Sequence, residues 1–129
     1  MLLFVQHDNT NNMERLISFL PTISLIIGGW ALVNGILHDV FVLAQHKTGY
    51  DRDLLRLLMD GHILITCGIM QMIAYKGLGT NESWAYWVAG VATISLLVYC
   101  GMIFPFLKSI VTITLNAFLL VMLIAGWMK

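Results

Sequence analysis

Charge is scarce in this chain. Asp, Glu, Lys and Arg make up 11% of its 129 residues, seven basic against seven acidic, for a formal net charge of zero. That balance provides neither the basic stripe that nucleic acid requires nor a polybasic segment for anionic lipid headgroups, so no nucleic-acid partner is expected. Cysteine is almost absent. Cys67 and Cys100 both lie inside apolar stretches with no CxxC or metal-ligand spacing, which excludes a disulfide framework and removes the strongest metal signals. Their different depths along the chain also argue against a mutual disulfide. Proline occurs only at Pro21 and Pro105, leaving few places where a helix is forced to stop. A glycine-rich phosphate loop, a serine elbow and a zinc motif are all missing, so no motif specifies a cofactor.

What is present is apolar surface. Hydrophobic residues make up 59% of the chain and the mean hydropathy is +0.84, outside the balance of a soluble domain. The pattern predicts an all-α integral membrane protein, a four-helix bundle with the lipid bilayer as its surroundings. Residues 1–15 read as a polar tail, Asn-rich over 6–12 and without a signal-peptide core; residues 16–129 read as one transmembrane domain with spans at about 16–45, 54–75, 84–104 and 109–127. Pro21 is tolerated in the first turns of the first span, and Gly49 falls in the turn after it. Lys76 to Ser83 reads as a loop, with Asn81 or Ser83 capping the next helix. Trp84 to Trp127 holds 44 residues and one charge, Lys108. A single helix of that length would reach ~66 Å and overshoot any bilayer, so it must break, best at Phe104 to Lys108, where Pro105 disfavours helix and Lys108 snorkels. Trp84, Tyr86, Trp87 and Trp127 fall where an aromatic belt belongs.

Four spans put both termini on one side. Arg15, Lys76 and Lys129 lie with the termini and Lys47, Arg52, Arg56 and Lys108 lie opposite, so three against four favours non-cytoplasmic termini.

Ionisable residues inside the spans carry the functional reading, because a charge in hydrocarbon is costly and marks a site or a partner. His38 and Asp39 lie late in the first span, Asp60 and His62 early in the second. All four form one layer ~10 to 14 Å in from the hairpin. Along the second span Asp53, Arg56, Asp60, Cys67 and Gln71 form one stripe, with His62 and Thr66 on the opposite face; on the first, Asn34 and His38 share a face. His38 can therefore close on Asp60, Arg56 can pair with Asp60 one turn on, and joint metal or haem ligation by His38 and His62 is the less favoured reading. Asn34, Gln71 and Asn116 read as interhelical glue, and polar stripes at Ser109, Thr112 and Asn116, and at Thr93 with Cys100 or Ser95 with Tyr99, are available to meet the layer. Gly28 with Gly35 and Gly61 with Gly68 predict a close crossing of the first two helices, displaced by about three residues.

The candidate ligand- or proton-handling residues are thus His38, Asp39, Asp60, His62, Asn34 and Arg56. The leading reading is binding or passage of a small solute, proton or cation through this His/Asp layer, in a homo-oligomer. The alternatives are a membrane-embedded enzyme acting on a lipid or quinone, with His38 and Asp60 or Asp39 as acid and base, and an accessory subunit bound to a membrane-complex partner. Size and four-span layout are similar to those of small multidrug transporters. The embedded glutamate of that family's first span has no counterpart here, since Asp39 comes late in the helix, so the likeness is architectural and carries no site residue across.

Overall fold

The structure, a computed structural model, describes residues 2–105 and 109–129. Five helices and no strand are found among them: α1 Leu2–Ser18, α2 Leu20–Gln45, α3 Arg52–Gly79, α4 Ser83–Ile103 and α5 Ile110–Trp127. The last four are long and apolar enough to cross a membrane. Their outer faces carry Ile26, Val40, Met59, Val98 and Val121, all more than half exposed, an inside-out distribution that water would penalise.

The first departure from the sequence reading is α1. Residues 1–15 read as a polar tail, yet Leu2–Ser18 is helical. Arg15 in its last turn complements the helix dipole, and Glu14 reaches Lys129 Nζ at 3.8 Å. That contact also places the C-terminal end of α1 and the end of the chain at the same end of the bundle. Pro21 separates α1 from α2: lacking an N–H, it cannot continue the ladder. The Phe19 amide bonds to the Leu16 carbonyl at 3.1 Å and α2 starts afresh with Pro21 in its first turn.

The α2–α3 hairpin is the tightest part of the fold. Gly28 stands opposite Gly68 and Gly35 opposite Gly61; a Cβ on Gly28 would lie 2.6 Å from the Gly68 carbonyl oxygen, and one on Gly35 2.6 Å from that of Gly61. No side chain larger than hydrogen fits there without moving backbone. The glycines therefore pair directly, without the three-residue displacement expected from counting. Ser24, Gly28, Ala31, Gly35 and Val42 form the buried stripe of α2 along this seam. The connecting loop is fastened by Asp51, whose carboxylate accepts from the Leu54 amide at 2.8 Å and caps α3. Thr48 Oγ1 donates to Asp51 at 3.2 Å, and His46 Nε2 lies 3.2 Å from the same carboxylate. The Leu54 amide first, with Thr48 and His46 adding to it, holds the Asp51 carboxyl below its ordinary value. Gly49 makes the turn at φ +75°.

Helix α3 runs on through Gly79, past the expected end at Tyr75. Gly77 explains the difference: it is buried, and a Cβ there would lie 2.5 Å from that of Ala85. The glycine admits the neighbouring helix rather than breaking its own. On α4 the matching stripe is Ala85, Ala89, Ala92 and Thr93, all buried. Neither Asn81 nor Ser83 caps α4. Glu82 holds the N-cap position without a side-chain bond to the first amides of the helix, its carboxylate accepting from Thr80 and Trp84 instead, while Asn81, at φ 58°, accepts from the Tyr86 hydroxyl at 2.9 Å. Tyr86 and Trp87 both meet Trp127 edge-on, with centroids 5.7 and 6.1 Å away, which gathers the aromatic residues at the terminal end of the bundle. Helix α4 stops at Ile103, just before Pro105 as expected; the rest of the proposed break, including Lys108, lies outside the described residues.

Candidate functional site

Two apolar clusters hold the four long helices together, and they are unequal. At the terminal end Leu20 and Ile27 of α2, Ala74 and Leu78 of α3, Ala85 and Ala89 of α4, and Leu119, Met122 and Leu123 of α5 pack as one core. Toward the hairpin the second cluster comprises Ala31, Cys67, Ala92 and Leu96, from α2, α3 and α4 alone. Helix α5 has dropped out. Between the clusters sits a buried polar cross-link: Gln71 Nε2 donates to Thr93 Oγ1 at 3.1 Å and to Asn116 Oδ1 at 2.8 Å, while Ser24 Oγ donates to the Gln71 carbonyl at 2.8 Å. One residue from each long helix is thereby joined, which bears out the glue reading for Gln71 and Asn116. Asn34 differs. It bonds the Trp30 carbonyl of its own helix at 2.7 Å.

Beyond Asn116, α2 and α5 enclose an open cavity of about 690 Å³ in the hairpin half of the bundle. Asn34, Leu37, His38 and Phe41 line it from α2, Leu64 from α3, Tyr99 from α4, and Ser109 with Thr112 from the start of α5. The walls are mostly aliphatic, with a few convergent polar groups, the usual make-up of a small-molecule site. The sequence accounts for the gap: where the terminal core has Leu119, Met122 and Leu123, the facing turns nearer the hairpin have Ser109 and Thr112, too short to reach α2.

Among the described residues two titratable side chains line this cavity, His38 and Tyr99, and a carboxylate lies near each. His38 Nδ1 lies 3.5 Å from Asp39 Oδ1, at the outer limit of a hydrogen bond, with side chains 27% and 22% exposed. The Asp39 carboxylate packs onto the Cα of Gly61, in the space a larger residue would fill. Across the cavity Tyr99 lies near Asp60, with no hydrogen bond between them. The structure pairs His38 with Asp39 and not with Asp60, which makes no hydrogen bond or ion pair among the described residues. The phase of α3 is the reason. Gly61 and Gly68 define its α2-facing side, so Asp60 lies about 100° round, with Cys67 and Gln71, against α4.

Arg56 and His62 do not enter the site. Arg56 is exposed and does not appear among the ion pairs of the described residues, so the one-turn pair with Asp60 is not formed. His62 is exposed on the far side of α3, which places it away from His38. No group of three or more His, Cys, Asp or Glu side chains converges among the described residues. The cysteines are both free and buried. Of the site residues missed by sequence reasoning, Tyr99 matters most. Its spacing four residues after Ser95 was visible as a polar stripe, but only the packing of α4 on α3 brings it to Asp60. Ser109 Oγ is buried at the cavity wall, near the Cys100 thiol and without a well-formed hydrogen bond among the described residues.

No protein-family profile, curated protein or solved structure matches the chain.

Proposed function

We propose that the four long helices cross a bilayer and that the cavity between α2 and α5 binds a small solute, with His38 and its partner Asp39 exchanging a proton or cation there. The observation that carries this reading is the cavity itself: an imidazole, a phenol and two hydroxyl groups line it where α5 no longer joins the apolar core. In hydrocarbon such groups are costly unless they meet each other, water or a ligand. The Gln71, Thr93 and Asn116 cross-link lies beyond the inner end of the cavity, so in this reading passage through the bundle requires that cross-link to part. The C-terminal end of α1 and the end of the chain lie at the opposite end of the bundle. The basic residues near the hairpin make that side cytoplasmic in this reading, with the termini outside.

A second reading draws on the aliphatic walls formed by Leu37, Phe41 and Leu64: a lipid or quinone headgroup enters the same cavity and His38 acts on it as acid or base. Purified protein in liposomes separates the two. Solute binding with proton exchange predicts a pH change in the lumen, under an imposed potential, that exceeds that of empty liposomes and is abolished by His38→Leu. The second reading predicts no flux and saturable binding of a quinone that His38→Leu weakens. Flux unchanged by His38→Leu removes the cavity from the pathway.

A further inference from the structure

Along α3 the residues between Arg56 and Lys76 number 19, ~28 Å of helix, which matches the hydrocarbon core of a bilayer. His62 lies six residues in from Arg56, ~9 Å below that boundary and too deep for an imidazole to reach the headgroups. It points outward. The exposed stripe of α3 is Leu55, Met59, His62, Thr66, Ile69 and Ile73, spaced alternately four and three residues apart, and no other helix of the bundle covers it. The other ionisable side chains of α2 and α3 at comparable depth, His38, Asp39 and Asp60, are all partly buried, His38 beside Asp39. His62 alone would face lipid with both ring nitrogens unpaired, at a cost that membrane helices relieve by burying such residues against another helix.

We infer that this face of α3 binds a second copy of the same chain, with His62 meeting His62 of the other copy at a two-fold axis along the membrane normal. The chemistry selects a like partner. A neutral imidazole carries one donor and one acceptor, so two of them at equal depth can share one N–H···N hydrogen bond, whereas paired carboxylates or ammonium groups would repel. The Thr66 hydroxyl, one turn deeper, is self-complementary in the same way. Every remaining side chain of the stripe is apolar and alternates four and three residues along the helix, the spacing of a left-handed helix pair. The inference rests on the placement of α3 in a bilayer and not on what the cavity holds.

The experiment is cross-linking and dimer dissociation in liposomes at low protein-to-lipid ratio, with co-flotation to establish that the protein is in the membrane. His62→Cys and Ile69→Cys should give disulfide-linked dimers on mild oxidation, and Val121→Cys on the outer face of α5 should not. Single-molecule photobleaching should show dimers of the wild type. His62→Leu should weaken them about 3- to 18-fold, the range that interhelical hydrogen bonds supply, and His62→Gln, which keeps a donor and an acceptor, should weaken them less. A floating protein that is monomeric, that cross-links equally at Val121→Cys, or whose dimers are indifferent to His62→Leu overturns the pairing; failure to float overturns the membrane placement instead.

Discussion

Gly68→Ala and Gly101→Ala should move stability in opposite directions. Alanine is favoured over glycine inside a helix by about 0.8 to 1 kcal/mol, and this gain is available at both positions, since both lie within helices. At Gly101 nothing stands within 4 Å of the added Cβ, so the gain is realised. At Gly68 the same atom would lie 2.6 Å from the Gly28 carbonyl oxygen and 2.8 Å from the Leu32 amide nitrogen. Restoring an ordinary contact of 3.4 Å means moving the α2 backbone by 0.8 Å (3.4 minus 2.6). Backbone held on both sides of a seam does not yield as a flexible side chain does, and overpacking of this kind costs about 1 to 3 kcal/mol. The net expectation for Gly68→Ala is a loss of up to about 2 kcal/mol. Thermal unfolding in detergent, followed by circular dichroism, should show Gly68→Ala melting several degrees below the wild type and Gly101→Ala level with it or above. Gly68→Ala melting at or above the wild type, or both variants falling equally, would refute the close crossing.

Asn116→Ala should destabilise by about 1 to 3 kcal/mol, because it deprives Gln71 of one acceptor in a buried site; Gln71→Met, which removes the polar group and keeps the volume, should cost less, and denaturant titration of both variants checks the order. Asp51 makes the hairpin acid-sensitive. Its folded carboxyl is held below the ordinary value of 3.8, so its contribution is complete above that pH and is lost as the pH falls below it. Asp51→Asn, which still caps a helix, should flatten the low-pH limb of a melting curve, and an unchanged limb would show that the loop does not hold α3. Cysteines placed at residues 10 and 128 should react with an impermeant reagent from the same side of the membrane, and one placed at residue 50 from the other.

Much of the architecture was legible in the sequence because its signal is one-dimensional. The length of each apolar run, Pro105 and the single charge between Trp84 and Trp127 call for four long apolar helices whatever their packing. Gly28, Gly35, Gly61 and Gly68 announce a close seam for the same reason: their heptad spacing is a property of the chain. Relations between helices were less legible. Whether Asp60 meets His38 depends on which side of α3 faces α2, and that is decided by Gly61, its immediate neighbour. The Gln71, Thr93 and Asn116 cross-link joins residues 22 and 45 positions apart and shows in sequence only as three isolated polar residues. Gly77 illustrates a local rule overruled by tertiary contact, since its missing side chain admits Ala85 where it was expected to end the helix. Asp51 was a readable cap, three residues before Leu54, masked by reading the helix from its first apolar residue.

The central claim is that the space between α2 and α5 is a polar-accessible site and not a lipid-filled gap. Thr112→Cys, on the inner wall of the cavity, should react with a small cationic methanethiosulfonate added from the hairpin side, above the background of buried Cys67 and Cys100, while Ile94→Cys on the outer face of α4 should not. An unreactive Thr112→Cys, or one that reacts no faster than Ile94→Cys, would contradict the account.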